Sequence, residues 1–339
     1  RAAMLAANGS EFKAKLTPLT LPPKSSFVAP MNSVLMGVLV YVLLQLAVGV
    51  LVSRRIRSES DYLVAGRKIG LGLATFSMFA TWFGAETCVD AAGKFYAEGL
   101  AGGITDPFGY TLALVIMGLI FAAPLWKAGL TTLADLFRTR YSPGVERLAV
   151  LLMAPTSVFW AAAQIRAFGS VLHSTSDLSL VACVTLAAGV VIIYTCTGGL
   201  LADVMTDLVQ GIAIIIGLLV IIGVLVFNPN IHLLEAWRSV DLTRVQAAEP
   251  SAASNWKLFE LWAVTIGGSV VAQEAISRML GARSPGVARA ATLWGGGLYL
   301  VVGLIPAFLG LVGAQLLPNL PHSEQVLPAM AEKFLPPLL

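Results

Sequence analysis

The stretch "MFATWFGAETCVDAAGKFYAEGL", residues 78–100, decides how the chain is read. It is apolar enough to enter a bilayer, yet Glu86, Asp90 and Lys94 follow closely on Gly84. A charge at the bilayer centre is costly, so acids within a span face protein or water and take part in function. Glu86 and Asp90 are four residues apart, one turn along one helix face. Gly84 lowers the local helix preference by ~1 kcal/mol relative to alanine. A break there would free backbone carbonyls for a cation and aim a half-helix N-terminus into the core. The competing reading puts both acids at the outer membrane edge, paired with Lys94.

The surrounding composition makes the membrane reading general. Of 339 residues, 57% are hydrophobic and 12% charged, where a soluble domain is nearer a quarter charged. Mean hydropathy is +0.81. Apolar runs long enough to span ~30 Å of hydrocarbon recur along the chain. They predict an all-α polytopic membrane protein with eight spans, near 33–52, 70–96, 108–126, 144–172, 178–196, 207–227, 258–276 and 288–317. Loops 53–69, 127–147 and 277–290 hold twelve lysines and arginines, whereas 97–107 and 173–177 hold none. Short loops rich in positive charge stay in the cytoplasm. The N-terminus is therefore expected outside it, in a cell (inner or plasma) membrane with the lipid bilayer as surroundings. A net charge of +3 gives no indication of nucleic acid.

The ends read differently. Residues 1–30 are rich in Pro, Lys and Ser and lack an apolar signal region. They are expected to be a disordered or non-native leader before a transmembrane domain at 31–339, with Met31 as a plausible start. Asn8 in "NGS" matches a glycosylation acceptor but falls in that leader. The closing "EKFLPPLL" stops where another apolar segment could begin, so C-terminal helices are expected to be missing. Cys88, Cys183 and Cys196 read as small buried hydrophobes. The three histidines stand far apart, and no hydrolase or nucleotide-binding motif is present. No metal site, organic cofactor or enzymatic activity is expected.

A second interrupted span gives the first its meaning. "LWAVTIGGSVVAQEAISRML" carries Gly267, Gly268 and Ser269 mid-span, followed by Gln273 and Glu274. Paired interruptions in corresponding segments point to a transporter site at a repeat interface. From the residues alone, the site falls between spans two and seven.

Two longer stretches, "SESDYLVAGRKIGLGLATFSMFATWFGAET" and "IYTCTGGLLADVMTDLVQG", resemble the sodium:solute symporter family. The likeness runs from about residue 33 to the end. It implies a LeuT-like five-plus-five inverted repeat preceded by one extra helix, here cut after about eight transmembrane helices. It further implies sodium-coupled import of a small organic solute, with Na+ as the coupling ion. Within the family, "ATW", "PFGYTL" and "FWAAA" are similar to the choline transporter-like branch, where aromatic residues enclose a quaternary ammonium. The resemblance assigns Trp82, Tyr110 and Trp160 to that cage, in keeping with the attraction of aromatic faces for a desolvated cation. Gln164 lies one turn from Trp160. Ser269, with Val270 and Val271, stands where the branch has a tryptophan, and Glu86 has no acidic counterpart there. These departures leave open another amine or a polar or zwitterionic solute. The expected solute set is thus Trp82, Glu86, Tyr110, Trp160, Gln164, Ser269 and Gln273. Family sodium ligands transfer to the carbonyls of Ala80 and Phe83. Asp207 matches an aspartate on the ion exit path, although it also suits an N-cap. A solute-sensing input module of a signalling protein, an ion channel and an inactive fragment are the competing functional classes.

Overall fold

A computed structural model describes residues 31–84, 86–176, 178–229, 231–240 and 252–335. The leader 1–30, with Asn8, lies outside the described residues, and so does the side chain of Glu86. The described residues are helical, with no strand beyond an isolated bridge between Ile69 and Ala282.

Helix α1 (Met31–Ser53) leads into the basic loop, where the short α2 (Glu59–Val64) is capped by Ser58. It ends on three consecutive left-handed residues, Ala65, Gly66 and Arg67. This turn is what the "AGR" of the motif builds, and it throws Arg67 across the loop face. There its guanidinium donates to the Leu130 carbonyl at 2.8 Å and lies 5.4 Å over the Trp126 ring.

Helix α3 (Leu71–Ala80) then stops short. The Ser77 carbonyl accepts both the Thr81 N–H at 2.9 Å and the Thr81 hydroxyl at 2.6 Å, a back-bond of the kind that bends helices. Helical structure resumes as a π-turn at Glu86–Ala91 and continues as α4 (Ala92–Glu98). The interruption therefore covers residues 81–84 and includes Gly84, as expected. Asp90 follows the competing reading, since its carboxylate meets Lys94 Nζ at 2.7 Å with both side chains partly exposed.

The second interruption is real but misplaced in the sequence reading. Helix α11 as numbered here (Ala252–Val270) runs through Gly267 and Gly268 without a break. The chain opens at Val271 and Ala272, the latter extended at φ −68°, ψ 121°, before a half-helix at Gln273–Leu280. A helical glycine costs only ~1 kcal/mol. The break falls instead where the next two side chains take partners on other elements: Gln273 on the Leu133 N–H and Glu274 on Trp82.

Between the two interruptions come α5 (Tyr110–Ile116), α6 (Ala122–Lys127), α7 (Leu133–Arg140), α8 (Pro143–Thr175) and α9 (Leu180–Phe227). The amphipathic turn Leu233–Arg238, α10, precedes α11. The half-helix Gln273–Leu280 is α12, and α13 (Pro285–Leu316) and α14 (Val326–Phe334) close the described chain. Helix α9 holds two expected spans joined at Gly199 (φ 50°, ψ −158°) rather than by a loop. A Cβ at Gly199 would stand 2.5 Å from the Tyr62 carbonyl, so only glycine fits this corner. Asp207 accordingly lies eight residues beyond the kink, inside a helix, and not at an N-cap.

The direction of the two interrupted helices reveals the repeat. Ile69, just before α3, donates to the Gly281 carbonyl at 3.1 Å, and Arg283 donates to the Ile69 carbonyl at 2.9 Å. One interrupted helix thus begins where the other ends, and they run in opposite senses. The three basic loops expected on one side do meet there. Trp126 Nε1 adds a 2.7 Å hydrogen bond to the Ala282 carbonyl.

Helix α13 is the central post, packed on α3, α4, α5 and α6. Apolar solvent gives helices little reason to associate, so close packing must do it. Gly295 sits against Met78 and Gly303 against Pro107, each where a Cβ would come within 3 Å. Serine caps α8 and α13 identically, through Ser142 and Ser284 with proline next. Residues 285–290, expected in the basic loop 277–290, are therefore the first turns of α13. Among the described residues, five helical stretches are individually long and apolar enough to cross a membrane: Met36–Ser53, Thr87–Lys127, Pro143–Ser170, Gly198–Phe227 and Pro285–Leu316. The remaining expected spans are shortened by the interruptions and the Gly199 corner.

Candidate functional site

Both interruptions open onto a cavity of about 670 Å³. From α3 and its break it is lined by Ala80, Thr81, Trp82, Phe83 and Gly84; Tyr110, Trp160 and Gln164 come from α5 and α8. Ser269 and Glu274 flank the second break. Six expected solute or ion positions besides Asp207 (Trp82, Tyr110, Trp160, Gln164, Ala80 and Phe83) therefore do converge, and Ser269 joins them.

The aromatic wall has defined geometry. The rings of Trp82 and Tyr110 lie 5.5 Å apart, tilted by 35°. Behind them Phe79, Phe83 and Tyr299 form a buried cluster, with Phe83 4.7 Å from Phe79 and 5.2 Å from Tyr299. That packing fixes the break. Trp160 is 46% exposed, so it stands at the rim rather than in the floor.

Gln273 does not belong to this set. Its Oε1 accepts from the Leu133 N–H at 2.9 Å, and its Nε2 donates to Ser277 Oγ at 2.9 Å, both on the side of the basic loops. Residues 273 and 274 point to different faces of α12, as successive helical positions must. The neighbour the sequence reading passed over, Glu274, is the one in the cavity. Trp82 Nε1 donates to its Oε1 at 3.1 Å, joining the two breaks. Glu274 lies in the first turn of α12, where the helix dipole favours a negative charge.

In the cavity wall toward the basic loops lies an ion-pair cluster around the buried Arg278 and Asp207, with Asp203 partly exposed. Arg278 Nη2 reaches Asp203 at 2.7 Å and Asp207 at 2.9 Å. Ser77 Oγ donates to Asp207 Oδ2 at 2.5 Å and accepts from Arg278 Nε at 2.9 Å. Three elements, α3, α9 and α12, are tied at one point. Arg278, counted above among loop charges, is instead a buried member of this cluster. The signal was present: Asp203 and Asp207 stand four apart, as do Glu274 and Arg278. Two aspartates so spaced on one apolar helix repel each other, so a cation from another element is expected to join them, and Arg278 does.

The carbonyls of Ala80 and Phe83 fall at the C-terminal end of α3, where the helix dipole is negative. Those residues fit a hard monovalent cation such as sodium. One Asp207 oxygen is already shared by Ser77 and Arg278, so a cation there would compete with a guanidinium. Among the described residues no group of three His, Cys, Asp or Glu could hold a metal ion.

Antiparallel interrupted helices around one cavity, with a chain order that places one helix before the first, define a LeuT-like inverted-repeat fold. The profile of the sodium:solute symporter family matches residues 62–339, and the chain belongs to that family. It is 29% identical over 283 residues to the high-affinity choline transporter 1 of Drosophila melanogaster, covering 81% of this chain and 45% of that one. To the sodium/pantothenate symporter of Haemophilus influenzae it is 26% identical, covering 83% and 59%. The chain spans about half the length of the curated relatives it matches. Among solved structures it is similar to a Na+-coupled sialic acid symporter in a substrate-bound outward-open state. The TM-score is 0.76 at 20% identity, covering 91% of this chain and 67% of that one.

Proposed function

We propose that the protein carrying this chain imports a small organic cation, choline-like in shape, coupled to sodium entry. The observation that carries this reading is the cavity's lining. Trp82, Tyr110 and Trp160 supply aromatic faces, and Glu274, Asp203 and Asp207 outnumber Arg278. An ammonium group entering such a site gains cation–π attraction together with a net negative field. Sodium would sit on the Ala80 and Phe83 carbonyls. Similarity to choline transporters supports the solute class.

In this reading the Arg278 cluster closes the route on the side of the basic loops, which face the cytoplasm. Release of solute then requires α3 and α12 to part from α9, breaking the Arg278 pairs while Glu274 turns away from Trp82. The test is uptake of labelled choline by the full-length protein in proteoliposomes. Uptake should require an inward sodium gradient and be competed by other small quaternary amines. Equal uptake with potassium in place of sodium would remove the coupling. Competition by neutral solutes alone would remove the cation.

A further inference from the structure

Helix α1 precedes the inverted repeat, yet it reaches the cavity, whose lining includes Tyr41, Val42 and Gln45. From residue 34 to residue 52 every side chain is apolar except those of Tyr41 and Gln45, which stand four apart on one face. Val40, Leu43 and Leu51 of the same helix are exposed. An amide in an otherwise apolar span is expensive and points to function.

Gln45 is 5% exposed, and its Nε2 donates to the Tyr41 hydroxyl at 2.8 Å. Gln210 of α9 exchanges a hydrogen bond with the same hydroxyl. Together these bonds fasten α1 to α9, but they use only one end of the Gln45 amide. Its Oε1 is enclosed and has no hydrogen-bond partner among the described residues. Turning the amide end for end changes which atom is left over and nothing more: Oε1 would then meet Tyr41, and the NH2 would stand unpaired. A buried polar atom without a bond is costly, and fastening α1 to α9 gives no reason to carry one. A single hydrogen bond holds the amide where it is, beside the cavity. Rotation of the side chain into the cavity exchanges that bond for one to a solute, while Tyr41 keeps Gln210. A hydroxyl suits either end of the amide, because it both donates and accepts. A quaternary ammonium has no N–H and gains only from the aromatic faces and the acids, so the bond to Gln45 has to come from another part of the solute.

We propose that Gln45 of α1 is a solute-binding residue, taking the hydroxyl of an amino alcohol whose cationic head lies on Trp82 and Tyr110. Resting on the cation reading above, this assigns the other end of the solute and gives α1 a part in selectivity.

The test compares choline with propyltrimethylammonium, in which a methyl group replaces the hydroxyl, by equilibrium binding to the purified full-length protein in sodium. The wild type should favour choline about fivefold, the worth of one hydrogen bond. In Gln45→Met, which keeps the length of the side chain without its amide, that preference should disappear, with propyltrimethylammonium bound as before. A preference that persists in Gln45→Met, or a wild type that does not distinguish the two compounds, overturns the proposal and leaves Gln45 to a water or to packing, while the cation reading stands. If neither compound binds the wild type, the cation reading itself fails and takes the proposal with it. Should Gln45→Met not fold, Gln45→Asn, which draws the amide back by one methylene, should lose the preference in its place, and a full preference there overturns the proposal equally.

Discussion

At the scale of single residues, the site rests on Trp82. Its ring faces Tyr110, its Nε1 holds Glu274, and its carbonyl meets Thr87. If the ring gives ~2 kcal/mol to a bound ammonium, Trp82→Ala should weaken choline binding roughly 30-fold. Expression should stay near normal, because the ring is only partly buried. Equilibrium binding to the purified variant checks this, and unchanged affinity would take Trp82 out of the site. Glu274→Gln separates charge from geometry, since the amide oxygen can still accept from Trp82. Affinity for cationic solutes should fall about tenfold, ~1.4 kcal/mol, whereas a neutral isostere should bind as before. Much of this was legible in the sequence: Trp82, Tyr110 and Ser269 converge as the resemblance implied. Gln273 against Glu274 was not legible. Adjacent positions on a half-helix differ only by the phase at which that helix starts, and the start depended on a break whose place the glycines did not mark.

At the scale of elements, the informative object is the Arg278 cluster. A buried pair costs several kcal/mol to break from one side only, because it leaves a lone buried charge. Arg278→Ala should therefore cost ~3–5 kcal/mol and lower the thermal unfolding midpoint in detergent. Adding Asp203→Asn and Asp207→Asn to it should restore part of that loss. If the triple variant is no more stable than Arg278→Ala, the cluster is not an electrostatic tie. Gly199→Ala tests the corner of α9 in the same assay, where its Cβ would collide with the Tyr62 carbonyl. Hydropathy outlined these helices well, because a span needs length and apolarity and both are countable. It missed the Gly199 corner and the early start of α13, since a bend without a loop leaves a hydropathy average high, whereas the Ser284 cap, Pro285 and Arg289 lower it where the helix begins.

At the scale of the whole molecule, two interrupted helices running in opposite senses would, in the proposed function, offer one cavity to either side of a membrane. The bridge between Ile69 and Ala282 brings the basic loops together on one face. Arg55→Cys, exposed on that face, should react with an impermeant thiol reagent in inside-out vesicles and not in intact cells. The reverse pattern would invert the orientation read from charge. The inverted repeat was visible in the sequence only through its two weak points, since the halves share geometry rather than residues.

The account stands or falls on solute and sodium sharing the opening in α3, with cargo on the Trp82 ring and ion on the neighbouring carbonyls. Linkage requires that two ligands stabilising one arrangement raise each other's affinity by the same factor. The direct measurement is choline affinity at rising sodium, and sodium affinity at rising choline, on the purified full-length protein. We expect both to strengthen by one common factor, and that factor to collapse toward one in Trp82→Ala. Choline binding that is indifferent to sodium would contradict the account.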